Sequence, residues 1–121
     1  MDLKFTPEEE AFRIEIRDWV KVNVPDVFRA GRGRYTRNDR DTWYRRLAEK
    51  GWLCHSWPES AGGPGWSLAQ QFIFKDEASK LGAPHGDMGV TMIGPLIIQY
   101  GTPEQKERYL PKITSAEEMW C

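Results

Sequence analysis

The run from Met88 to Tyr100, MGVTMIGPLIIQY, constrains the chain more than any other stretch. Only Thr91 and Gln99 interrupt it with polar side chains, and it is too short to span a bilayer, so it reads as a buried helix. Gly101 is expected to end it in the left-handed conformation that glycine adopts without penalty. Thr102, Pro103, Glu104 and Gln105 then open a second, amphipathic helix, with a hydroxyl at the N-cap, proline at the first helical position and a glutamine to close a capping box. Gly94-Pro95 is the irregular point. Proline cannot donate to the Thr91 carbonyl and its ring crowds that oxygen, so the helix should kink or restart there. Gly89 and Gly94 leave room for a neighbouring backbone or a ligand. Met88 and Met92 share a face, and methionine adapts to irregular apolar guests. From the residues alone, plain core packing is the preferred reading of that pair.

The remainder of the chain adds helices and loops around this stretch. Thr6-Pro7-Glu8-Glu9 is a capping box that starts a helix near residues 7–24, with Phe12, Ile16, Trp19 and Val20 on its apolar face and Pro25 as its stop. Glu8, Glu9 and Glu10 favour the helix dipole and read as solvated charge rather than a metal site. A second helix is expected over 39–50, capped by Asn38 or Asp39 and stopped by Gly51, with Trp52 folding back on Trp43, Tyr44 and Leu47. Leu53 to Trp66 is punctuated by two prolines and three glycines, which makes it a loop. Its Gly62-Gly63-Pro64-Gly65 segment could cradle a phosphate at a helix N-terminus. Pro64 has no N–H to give and no lysine follows in Walker position, so a rigid packing loop is preferred. Ser67 and Gln70 cap a helix over 67–81 with a broad apolar face from Leu68, Ala69, Phe72, Ile73, Phe74, Ala78 and Leu81, stopped by Gly82. Asp76 and Lys80 are spaced to pair.

Several residues invite a chemical role. Cys54 and His55 adjoin in sequence, but nucleophile and base normally converge from separate elements. His85, alone at a turn, is read as simply hydrogen-bonded. Arg29, Arg32, Arg34, Arg37 and Arg40, interleaved with Gly31, Gly33 and Tyr35, have the look of an RNA-binding segment, although a solvated loop is the preferred reading because Asp39, Asp41 and Glu49 offset the charge. The chain has 121 residues, a net charge of −1 and 40% apolar residues, which fits one globular domain and gives no general attraction to nucleic acid or anionic membrane. Cys54 and Cys121 are expected as free thiols, and the acidic N-terminus is unlike a signal or transit peptide, which together point to the cytoplasm.

A family resemblance joins these readings. Gly94-Pro95, Gln99 to Lys106 (QYGTPEQK) and Arg108 to Ile113 (RYLPKI), preceded in order by Trp57-Pro58, Gly62-Gly63 and Gly65-Trp66, resemble the N-terminal helical domain of the acyl-CoA dehydrogenases. The resemblance runs along essentially the whole chain. It implies an all-α, orthogonal or up-down bundle of about five helices, near residues 7–24, 39–50, 67–81, 87–100 and 103–112. It places that domain at 1–118 and the opening of a β-domain at 119–121. It implies an FAD-dependent oxidoreductase of fatty-acid or lipid metabolism, which dehydrogenates an acyl-CoA between its α and β carbons and passes electrons to an electron-transfer flavoprotein. The family's flavin-contacting segment and catalytic base match no residue here, so the chain alone is expected to be colourless and inert, with no catalytic or cofactor-binding residue of its own. Met88, Gly89, Met92 and Pro95 become candidate wall residues of the acyl cavity, which raises the ligand reading of the methionine pair above core packing. The resemblance also implies a homo- or hetero-oligomer. A short non-catalytic helical interaction protein, and an RNA-binding module built on the arginine-glycine loop, are the alternatives.

Overall fold

The computed structural model describes residues 4–29 and 34–120. Among these, the regular elements are all helical: α1 (Pro7–Asn23), the short α2 (Asp26–Arg29), α3 (Arg37–Lys50), α4 (Leu68–Lys80), α5 (Gly94–Tyr100) and α6 (Pro103–Thr114). A single 3-10 turn spans Glu59–Ala61, and a π-helical segment, Gly89–Ile93, runs directly into α5.

The caps explain where the helices begin. Thr6, Ser67 and Thr102 each accept from the backbone N–H three residues on, while Glu9, Gln70 and Gln105 return a side-chain oxygen to the cap N–H. A fourth box starts α3, and it moves the expected start. Thr36, not Asn38 or Asp39, is the N-cap, and Asp39 is its reciprocal partner at 2.8 Å. An aspartate can close the box in place of the usual glutamate because its carboxylate also reaches the cap N–H. The helix therefore gains two residues, Arg37 and Asn38. Helix α2 lies in what composition suggests is an irregular connection; Phe28, buried, is the side chain that anchors it. Gly31, Arg32 and Gly33, the centre of the arginine-glycine reading, lie outside the described residues.

The stops differ in kind. Gly51 is left-handed, with φ 85°, as expected. Gly101 is extended, with φ −71°, so it is not required for its dihedrals. It is required for space: a Cβ there would stand 2.9 Å from Ile97 Cγ2.

Tryptophans join the helices into one core. Trp19 of α1 packs against Trp43 of α3 and Trp52 beyond it, with ring centroids 5.7 and 4.9 Å apart, and Trp52 leads on to Trp66 and Phe74. Trp52 folds back as expected, its N–H donating to the Leu47 carbonyl. Helix α4 presents a narrower apolar face than its sequence suggests. Ile73, Phe74 and Ala78 are buried, but Leu68 and Phe72 are exposed, and the fourth buried residue is Glu77.

Glu77 is 3% exposed and sits between α1 and α4. Arg13 donates to it at 2.6 Å and to Asp76 at 2.9 Å, Arg17 adds a bond at 3.2 Å, and Lys80 approaches both carboxylates. The Asp76–Lys80 pair forms as its spacing implies. A buried carboxylate is tolerated because its oxygens are met by guanidinium donors, whereas losing one partner strands the others. The hydrogen bond from Arg13 holds Asp76 below the usual carboxylate range. Burial pushes Glu77 up, but the bonds from Arg17 and Arg13 outweigh it and its net direction is also down. Both groups therefore stabilise the fold fully above their unfolded values of 3.8 and 4.5, and lose that contribution as pH falls through the lower folded values. Glu77→Ala should cost about 3 kcal/mol at pH 7, the lower end for breaking a buried pair since Asp76 still holds Arg13. Lys80→Ala, at the exposed end, should cost under about 1 kcal/mol. Urea unfolding at pH 7 measures both, and the same experiment below pH 4 should narrow the gap between Glu77→Ala and the parent chain.

Candidate functional site: an outward apolar helix face

The loop from Leu53 to Trp66 is built to present one side chain. The Trp57 N–H donates to the Cys54 carbonyl, and the Trp57 carbonyl accepts from Gly65. A Cβ on Gly63 would lie 2.5 Å from Trp57 Cβ, so only glycine lets the loop close over this residue. Ahead of α4, a Cβ on Gly65 would meet Glu59 Cγ at 2.7 Å, so the Glu59 side chain lies close against this glycine. Trp57 itself is buried and reaches across to the segment before α5.

Its target is a carbonyl that the helix cannot satisfy. The Gly94 N–H donates to Gly89, five residues back, which is the π pattern. That choice leaves the Val90 carbonyl without its usual partner, and its own five-residue partner is Pro95, which has no N–H. The Trp57 indole N–H takes up this carbonyl at 2.9 Å in a fully buried setting. The ring lies where Gly94 has no side chain: a Cβ there would stand 2.6 Å from Trp57 Cη2. The restart expected at Pro95 is thus realised as a π turn followed by a fresh α-helix with proline at its start.

The π turn and α5 present an apolar face outward, which corrects the expectation of a buried helix. Met88, Met92, Leu96 and Tyr100 are 41%, 58%, 55% and 73% exposed. At its far end this face borders a groove of about 360 Å³ lined by Leu96, Ile97, Tyr100, Gly101, Gln105, Tyr109 and Trp120. Asp87 closes the near end. Its carboxylate accepts the Val90 N–H at 3.1 Å and the Trp120 N–H at 2.8 Å, tying the chain after α6 to the start of the π turn. The Trp120 indole N–H is buried with no hydrogen-bond partner among the described residues.

The four residues expected to line a cavity separate into two roles. Met88 and Met92 are on the outward face. Gly89 is not: it is buried beneath Trp120, whose Cδ1 would lie 2.7 Å from a Cβ at that position. Pro95 is partly buried and sets the break from which α5 restarts. Sequence reasoning missed Leu96, Tyr100 and Trp120. The four-residue spacing from Met88 through Met92 to Leu96 and Tyr100 was the signal for the first two.

The other chemical candidates are interior groups. Cys54 is buried and its thiol is pushed up to about 12 by desolvation, the opposite of an activated nucleophile. His55 is buried against Phe74, with His85 6.0 Å away, and Nδ1 lies 3.3 Å from the Leu53 carbonyl. Desolvation holds His55 near pKa 4. Among the described residues no group of His, Cys, Asp and Glu is arranged to hold a metal ion. No helix there is long and apolar enough to cross a membrane.

Comparison with known proteins gives this geometry a family. The family model for the acyl-CoA dehydrogenase N-terminal domain matches residues 6–117. The acyl-CoA dehydrogenase IpdE1 of Mycolicibacterium smegmatis is 37% identical over 94% of this chain, and FadE26 of Mycobacterium tuberculosis is 32% identical over 97%. Among solved structures, the Tcur3481-Tcur3483 steroid ACAD superposes with a TM-score of 0.83 at 32% identity over 98% of the chain. The ChsE4-ChsE5 complex of Mycobacterium tuberculosis gives 0.82 at 32% identity over 97%. The chain spans about a third of the length of these proteins, 30–32% in each case.

Two outcomes follow for the site's interior. Gly94→Ala should destabilise the chain by about 1–3 kcal/mol, because the new methyl group overlaps the buried Trp57 ring; thermal unfolding reads this. His55 binds its proton more weakly folded than unfolded, so its contribution is complete above 6.5 and is lost as pH falls from there towards 4. The loss is on the order of 3 kcal/mol. A His55→Gln variant should show a flatter stability profile across that window in urea unfolding at stepped pH.

Proposed function

The chain belongs to the acyl-CoA dehydrogenase family as its N-terminal domain, and on that premise we propose that the outward face of the π turn and α5 is one wall of an acyl-chain cavity in a full-length enzyme. The single observation that carries this is the row Met88, Met92, Leu96 and Tyr100, four exposed apolar side chains in one stretch, whereas the other exposed large hydrophobics, Ile14, Val22, Tyr35, Leu68 and Phe72, lie on α1, on α4 and ahead of α3. Over its twelve-residue span the row is about 18 Å long. Such a surface is costly to leave in water and favourable to cover with hydrocarbon, at roughly 0.8 kcal/mol per buried CH₂. Gly89 and Pro95 act from behind it, by seating Trp120 and by setting the turn. The helical domain runs to residue 118, and Met119 and Trp120 lead towards a β-domain.

The reaction is dehydrogenation of an acyl-CoA thioester between its α and β carbons. FAD, held by the remainder of the enzyme, would supply the hydride acceptor, and an electron-transfer flavoprotein would serve as its oxidant. None of the residues described here is given a part in holding the flavin or in removing the α-proton; those roles go to the remainder of the enzyme. The substrate is a CoA thioester with a bulky, ring-bearing acyl group. Supporting that choice are the length of the row and the steroid named for one structural relative. Both solved relatives are two-component assemblies by name, which supports a hetero-oligomer. The enzyme is placed in the cytoplasm.

Met92→Trp tests the wall. Tryptophan at the middle of the row should shorten the cavity. Bulky and long acyl-CoA substrates should lose about ten- to a hundredfold in kcat/KM, while short ones are largely spared. Comparing kcat/KM along a chain-length series in the full-length enzyme, with melting temperature as control, reads it. An equal loss at every length, with a lowered melting temperature, removes Met92 from the cavity.

A further inference from the structure

The row of outward side chains is straighter than an α-helix can make it. At 3.6 residues per turn, residues four apart drift by about 40° around the axis, so three such steps spread a row over about 120°. Met88, Met92, Leu96 and Tyr100 would then fan from the outward side towards the core. The π segment between Gly89 and Ile93 inserts one extra residue into the turn and takes back about 100° of that drift. All four side chains are accordingly exposed together. The alignment of the wall therefore depends on the π turn remaining in place.

The π turn has a competitor and two guards: Pro95, whose ring crowds the Thr91 carbonyl in the α pattern, is the local one, and Trp57 is the distant one. In the α pattern, Gly94 would donate to Val90 instead of Gly89, satisfying that carbonyl within the helix. In the π pattern, the Val90 carbonyl must find a donor elsewhere, and the Trp57 indole supplies it at 2.9 Å. A buried carbonyl without a donor is costly, so removing the indole N–H shifts the balance towards the α pattern. Trp57 is itself held by the Gly63 and Gly65 closure, at a distance in sequence from the row it controls.

We infer that Trp57 is a positioning residue for the acyl wall, its indole N–H holding the π turn in the register that aligns Met88 and Met92 with Leu96 and Tyr100. The inference rests on the acyl-cavity reading above for its consequence, but not for its mechanics. Trp57 touches no substrate. It acts through Val90 and Gly94, and its effect is on which acyl groups fit.

Trp57→Phe in the full-length enzyme keeps a ring over Gly94 and deletes the donor. Amide hydrogen exchange across residues 89–94 should become about tenfold faster, the factor that corresponds to one lost hydrogen bond. The ratio of kcat/KM for a ring-bearing acyl-CoA to that for a short-chain acyl-CoA should fall about tenfold, through KM rather than kcat. Should Trp57→Phe fold poorly, Trp57→Phe with Pro95→Ala relieves the clash with the Thr91 carbonyl and opens the α pattern. That double variant should recover melting temperature while the ratio stays low. A purely structural Trp57 predicts the reverse: equal losses for both substrates in the single variant, and a ratio restored together with stability in the double. Either of those results, or unchanged exchange in Trp57→Phe, overturns the inference. A parent enzyme that turns over no acyl-CoA overturns the cavity reading and the specificity consequence with it, and the exchange comparison then decides alone whether Trp57 holds the turn.

Discussion

The hydrogen bond from the Trp57 indole to the Val90 carbonyl is the interaction on which the arrangement of this domain turns. It exists because Pro95 has no N–H and because the Gly94 N–H is committed to Gly89. One proline creates a carbonyl with no partner inside the helix; one glycine opens the space through which a distant tryptophan can reach it. Proline inside a helix usually costs about 3 kcal/mol. Here the break is confined to a single turn, and the long-range donor converts it into a defined geometry rather than a weak point. The same contact docks the Leu53–Trp66 loop against the segment that carries the outward row, so two parts of the chain far apart in sequence share one fixed relation.

How much of this could be read from the sequence depends on how local each feature is. The boxes at Thr6, Ser67 and Thr102 were legible because the cap and its partner lie three residues apart. Asp39 has the composition of a cap but acts as the return partner of Thr36, which sets the start of α3 two residues earlier than expected. The break at Pro95 was legible, but not its form, since the π turn is decided by Trp57, thirty-three residues upstream of its acceptor. Glu77 was missed for the same reason. Only the packing of α1 on α4 brings Arg13 and Arg17 over it, and a lone glutamate in a helix carries no mark that it will be buried.

The apolar run reads as buried in sequence yet turns four large side chains outward, and the cause is physical. Periodicity reports that a surface needs cover; it does not report what covers it. Met88 to Tyr100 has the apolar character of a core helix apart from the break at Gly94-Pro95. In this chain Gly89, Val90 and Gly94 are buried and Ile97 and Ile98 pack against the core, while Met88, Met92, Leu96 and Tyr100 face out. The core is built from aromatic rings of α1, α3, α4 and the Leu53–Trp66 loop, and these four side chains are not among them. An apolar row excluded from that core is a surface intended for something else.

The two faces of the domain consequently answer different demands. Where α1 meets α4, charge holds the structure: Arg13, Arg17, Asp76, Glu77 and Lys80 define one geometry and tolerate little displacement. Ion pairs of this kind add less to stability than their number suggests, but removing one partner is expensive, so they select one alignment over its neighbours. Along the π segment and α5 the outward side chains are Met88, Met92, Leu96 and Tyr100, three of them long or flexible and free of strong directional bonds. Flexible side chains can follow the outline of an apolar guest only if the backbone beneath them stays in one register. A rigid helix pair fixed by charge, a loop closed over Trp57 and a π turn held by a single indole donor supply that register. The adaptability of the face therefore depends on the rigidity of the residues behind it.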